Sequence, residues 1–164
     1  MPGAAGIAPA GADLGVRFGA RFIDQVLLFV VQAVIIVPIV VGALVADSAV
    51  GATSAFSMGF SFASILASLV GLAITLGYYV FMETTRGWTL GKKLLNLEVK
   101  GAGGGLPTVE ESLRRNGFYA LAIVPFLGGL LQLAAVIWIA VTIQTSNDNR
   151  GVHDIFASTV VRKA

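Results

Sequence analysis

Residues 16–46 read VRFGARFIDQVLLFVVQAVIIVPIVVGALVA. Two arginines and an aspartate come first, and from Val26 to Ala46 there is no charge. A hydrocarbon core about 30 Å thick takes about 20 apolar residues to cross as a helix, and this run has that length. A secretory leader would carry an apolar part of only about 7–15 residues. The stretch therefore reads as an uncleaved first span. The whole chain agrees with a membrane solvent: of 164 residues, 56% are hydrophobic and 12% charged, against roughly 25% charged in ordinary soluble domains. Such a chain is too apolar for disorder and too poor in polar groups to cover a soluble core.

Working outward, residues 1–15 are rich in Gly, Ala and Pro and read as a flexible N-terminal tail. Residues 16–162 read as one membrane domain. Its spans are expected at about 22–46, 56–82 and 118–144, with a polar connector over 83–116. The fold class is an all-α integral membrane protein with three hydrophobic helical stretches. Within the connector, residues 96–100 read as a short extended piece. Pro107, Thr108, Glu110 and Glu111, followed by Arg114 and Arg115, read as an amphipathic helix with acids first and bases later.

Basic residues set the orientation. Arg17 and Arg21 precede the first span, and the connector carries Arg86, Lys92, Lys93, Lys100, Arg114 and Arg115. The N-terminus and connector are expected on the cytoplasmic side of the cell membrane. The tail also carries Arg150, Arg162 and Lys163, yet three full crossings would put it outside. Two full crossings within the third stretch would need about 40 residues, and the stretch offers only about 26. Two arrangements follow: one crossing with a mildly basic external tail, or a re-entrant hairpin bent at Pro125–Gly129. The single crossing is the simpler, because re-entrant backbone is tolerated only where protein or water covers it.

Several groups could carry chemistry. Arg17, Arg21 and Asp24 share one helix face, and a carboxylate at an apolar boundary is costly unless paired. Asp24 reads either as the partner of Arg21 or Arg17, or as a proton or cation site. Ser57, Ser61, Ser64, Ser68, Gly71 and Thr75 follow steps of four and three along span two, a small-polar face suited to close helix packing or to a hydroxyl-lined path. Trp88, Lys92 and Lys93 read as anchors at the membrane interface. The Gly91-Lys92 pair lacks P-loop spacing. His153-Asp154 has no nucleophile in a recognisable context, so no enzyme is expected. There is no cysteine and one histidine, which excludes disulfides, thiolate clusters and a histidine cage. No cofactor or metal is expected, and a net charge of +2 gives no case for nucleic acid.

In this order the pieces resemble the RDD family of small membrane proteins. Residues 17–24 (RFGARFID) are similar to its first signature, Thr89–Leu95 with Glu98–Val99 to its second, and Arg150, His153-Asp154 and Thr159-Val160-Val161 to its third. The resemblance implies that the triad naming the family is Arg17, Asp24 and Asp154, expected as one charged cluster. It also implies Na⁺ or Li⁺/proton exchange, as some members are implicated in, with carboxylates as the site. The alternative is a non-catalytic assembly or partner-binding module acting through the serine face. The partners expected are the lipid bilayer and either other membrane proteins or further copies of the chain.

Overall fold

The computed structural model describes residues 11–49, 62–124 and 126–164. Helix α1 spans Leu14–Ala49 and α2 spans Phe62–Arg86. A short helix α3 (Leu90–Leu94) leads into strand β1 (Leu97–Lys100), and α4 (Val109–Asn116) runs into a 3₁₀ helix at Gly117–Ile123. Helix α5 (Gly128–Thr145), short helix α6 (Val152–Phe156) and strand β2 (Val160–Lys163) complete the chain. Three segments are long and apolar enough to cross a membrane: Leu14–Gly42, Ser64–Arg86 and Gly128–Thr145. Phe22, Phe29, Val34, Leu130 and Trp138 on these helices are exposed, which suits side chains facing lipid.

The third apolar stretch is a hairpin, not a single crossing. The 3₁₀ helix leads away from the connector and α5 returns to it. The tail then docks on the starting face: β2 pairs antiparallel with β1, with Val99 opposite Val161 and Glu98 opposite Arg162. Fewer residues suffice than two α-helices would need. The outgoing arm is seven residues of 3₁₀ helix, about 14 Å at about 2.0 Å each, and so reaches only about half way across a core of about 30 Å. The bend falls within the expected Pro125–Gly129 region, although Pro125 lies outside the described residues. Phe126 adopts φ +61°, and the Gly128 amide donates to the Val124 carbonyl at 2.7 Å.

A polar layer lies where the helix ends, connector and tail meet. Helix α1 begins earlier than expected, at Leu14, and residues 11–15 are not a loose tail. The Gly11 amide donates to the Asp148 carbonyl at 2.8 Å and the Ala12 amide to the Val161 carbonyl at 2.7 Å. Ala12, Ala20, Leu97, Val99 and Val161 form a small apolar core there. Helix α4 starts with a capping box in which Thr108 and Glu111 satisfy each other's backbone amides. Gly87 closes α2 with φ +76°, its amide donating to the Glu83 carbonyl at 2.9 Å. A left-handed residue at that position favours glycine.

Candidate functional site

The polar layer contains three buried carboxylates, each held by a different kind of partner. Asp24, on α1, is fully buried. Its Oδ1 accepts from the Tyr78 hydroxyl at 2.6 Å and the Gly91 amide at 2.8 Å, and its Oδ2 from the Thr89 hydroxyl at 2.5 Å. Tyr78 Oη in turn accepts from the Leu90 amide at 3.0 Å. Asp24 thus ties α1, α2 and the start of α3 together. The approach is close because residue 91 is glycine: a Cβ there would lie 2.0 Å from the Ala20 carbonyl oxygen.

Glu83, near the end of α2, is also fully buried. It pairs with Lys92 and accepts from Ser112 Oγ at 2.8 Å and Asn116 Nδ2 at 3.0 Å. Burial pulls the Lys92 ammonium down to about 8. Glu83 opposes that shift, and Arg115 and Arg21 add to it.

Asp154, on α6, pairs with Arg17 and accepts from the Gly151 amide at 3.2 Å. Arg115 Nη2 sits 3.3 Å from its other oxygen. Burial pushes the Asp154 carboxyl up, but the charges of Arg115, His153 and Arg17 outweigh it and hold the group below the usual carboxylate range. Burial drives His153 well below its ordinary value, and Arg115, Arg21 and Arg17 reinforce this against the pull of Asp154. Among the described residues, Arg21 has no carboxylate hydrogen-bonded to it. It donates to Tyr119 Oη at 3.0 Å and Asn116 Oδ1 at 3.3 Å, and lies 5.2–5.8 Å from the rings of Tyr79, Phe118 and Tyr119.

The structure therefore divides the expected triad. Arg17 and Asp154 meet, whereas Asp24 takes hydroxyl and amide donors instead of Arg17 or Arg21. The reason is competition for guanidinium: with the tail on the connector side, Asp154 takes Arg17, and the aromatic groups take Arg21. Lys92 is not a headgroup anchor either, being 2% exposed and paired with Glu83. Lys93 is exposed, and its Nζ lies 4.4 Å from the half-buried Trp88 ring centroid.

On the serine face, Ser57 and Ser61 lie outside the described residues. Gly71 and Thr75 are buried against α1, where Gln32 Nε2 donates to Thr75 Oγ1 at 2.8 Å and the Gly71 carbonyl at 3.3 Å. Ser64 and Ser68 border a groove beside the 3₁₀ helix. Sequence reasoning missed Glu83, Arg115 and Asn116. The spacing of Glu83 from Lys92 was visible, but nothing local marked the pair as buried. Among the described residues, no group of three or more His, Cys, Asp or Glu could hold a metal ion.

The arrangement pairs most of the buried charge, orders the connector and fixes the ends of the hairpin. No curated protein and no solved structure matches the chain. The sequence model of the RDD family matches residues 11–158. Over that length, which covers most of its residues, this membrane chain belongs to the RDD family.

Proposed function

We propose that the chain is a non-catalytic assembly module of the cell membrane, with its N-terminus in the cytoplasm, that binds other membrane proteins or further copies of itself through the serine-bearing side of α2. One observation carries this reading. A groove of about 420 Å³ lies between α1, α2 and the hairpin, and Gln25, Gln32, Ser68, Thr75, Tyr119 and Gln132 line it. Polar side chains at this depth favour a partner helix that hydrogen-bonds to them, each such bond contributing on the order of 1 kcal/mol. The state of the carboxylates also supports the reading: Asp24, Glu83 and Asp154 are each engaged by fixed donors from several elements.

Na⁺ or Li⁺/proton exchange is the second reading. The hydroxyl and amide oxygens of the groove favour it, since they are hard donors suited to such cations. It would require Asp24 to release three hydrogen bonds in each cycle, or the groove to work without a carboxylate.

Two measurements together test the proposal. A cysteine at Ser68 in this naturally cysteine-free chain is expected to cross-link to a second chain in native membranes, whereas one at the exposed Val34 is not. Wild-type protein in sealed proteoliposomes is expected to carry no Na⁺ flux under a pH gradient. Robust flux, or equal cross-linking at both positions, rejects the module reading.

A further inference from the structure

A second, smaller cavity lies in the polar layer between the feet of α1 and α5. It encloses about 70 Å³, several times the roughly 10–15 Å³ one water needs. Arg17, Arg21, Lys92, Arg115 and His153 all line it. Four of these are permanent or near-permanent cations, and they face two carboxylates: Asp154 serves Arg17 and Arg115, and Glu83 serves Lys92. Among the described residues, Arg21 hydrogen-bonds only to the neutral Tyr119 and Asn116. Even if Asp24 is counted, although its oxygens are taken by Tyr78, Thr89 and Gly91, one positive charge is left over. Arg115 is 1% exposed, and its Nε and Nη1 have no hydrogen-bond partner among the described residues. A buried guanidinium with unpaired donors adds to the cost of the surplus charge.

We propose that this cavity is a site for a phosphate-type oxyanion, supplied either by an anionic phospholipid headgroup or by free phosphate. Guanidinium groups match the geometry of phosphate oxygens through paired N–H donors. The oxyanion would neutralise the excess charge of the lining cations. The apolar part of the lining fits a lipid as the source: Phe18 on α1 and Val136, Ile139 and Ala140 on α5 form a wall at the membrane-facing side, with Phe18 61% exposed. An acyl chain can lie along that wall while the phosphate sits on the basic floor. The site is independent of the assembly reading, which concerns the opposite groove.

The test uses the purified, delipidated full chain in detergent. Dioctanoylphosphatidylglycerol, dioctanoylphosphatidylcholine and inorganic phosphate are titrated separately, with thermal shift and native mass spectrometry as readouts. Ala140→Phe fills the apolar wall without touching an ion pair. Arg21→Gln removes the cation that has no carboxylate partner among the described residues. Phosphatidylglycerol is expected to bind at one saturable site, with phosphatidylcholine at least tenfold weaker, and both variants are expected to weaken phosphatidylglycerol at least tenfold. If Arg21→Gln does not fold, Ala140→Phe decides alone. Displacement of the lipid by inorganic phosphate would assign the site to a free oxyanion, and indifference to phosphate would assign it to the lipid; either result supports an oxyanion site. Absence of saturable binding by both anions, or phosphatidylglycerol binding unchanged in folded variants, overturns the proposal.

Discussion

Replacing Gly91 with alanine tests whether Asp24 is a latch between α1 and α3. The new Cβ would stand 2.0 Å from the Ala20 carbonyl oxygen and 3.1 Å from Asp24 Cγ. The obstacle is backbone on a long helix, so no side chain can turn aside. Relief requires α3 to withdraw by about 1 Å, and the Gly91 amide contact of 2.8 Å would then open to about 3.8 Å, beyond hydrogen-bond range. The Thr89 contact, 2.5 Å at present, would open with it. Each hydrogen bond to a charged group contributes about 1.5–3 kcal/mol, and forced overpacking costs about 1–3 kcal/mol. Because the two effects share one displacement, the expected loss is about 3–5 kcal/mol rather than their full sum. Gly77→Ala is the control: its Cβ would meet nothing within 4 Å, and helix propensity gives a gain of about 0.5–1 kcal/mol. Thermal unfolding in detergent, calibrated by reversible denaturation, measures both. A Gly91→Ala protein within about 0.5 kcal/mol of wild type, the ordinary range for a surface change, would refute the latch.

Other outcomes follow from the same layer. Removing Asp154 leaves Arg17 and Arg115 buried without their carboxylate, so Asp154→Asn should cost about 3–5 kcal/mol. A double-mutant cycle should then show coupling above about 1 kcal/mol for Arg17 with Asp154 and near additivity for Arg17 with Asp24; the reverse pattern would reject the observed pairing. His153 is the chain's one histidine, and its folded pKa lies below the unfolded value of about 6.5. Below that pH the unfolded state binds the extra proton, so stability should fall with a slope of up to about 1.4 kcal/mol per pH unit and be flat in this contribution above it. His153→Gln should remove the slope, and an unchanged profile between pH 5 and 6.5 would count against a neutral buried imidazole. Cysteines at the exposed Lys93 and Lys163 should react with an impermeant thiol reagent from the same side of the membrane. Labelling from opposite sides would reject the hairpin.

Much of the architecture was legible because long apolar runs have few alternatives. The first two spans, the extended piece at Leu97–Lys100 and the amphipathic helix after Pro107 all follow from local pattern. The hairpin was legible only as a conflict between tail charge and span count. It was resolved by a short outgoing arm and by the pairing of β2 with β1, neither of which composition encodes. The polar layer was harder to read because neighbours in sequence separate by about 100° on a helix, and only tertiary context decides which one is buried. Lys92 is buried on Glu83 while Lys93 faces outward beside Trp88. Arg115 is buried by Asp154 while the Arg114 side chain is 53% exposed. Asp24 was recognisable as costly, but its partners are hydroxyl and amide groups that carry no charge signal.

The pairing of β1 with β2 bears on biogenesis. Synthesis delivers Leu97–Lys100 long before Val160–Lys163, and Arg17 precedes its partner Asp154 by 137 residues. During insertion, the spans can enter the bilayer one after another while the basic feet of α1 and α4 remain unneutralised. Closure therefore waits for Val152–Phe156 and Val160–Lys163 to be made. A product released early would expose an unpaired strand edge and surplus guanidinium groups, which membrane proteases and chaperones can read as marks of an unfinished chain.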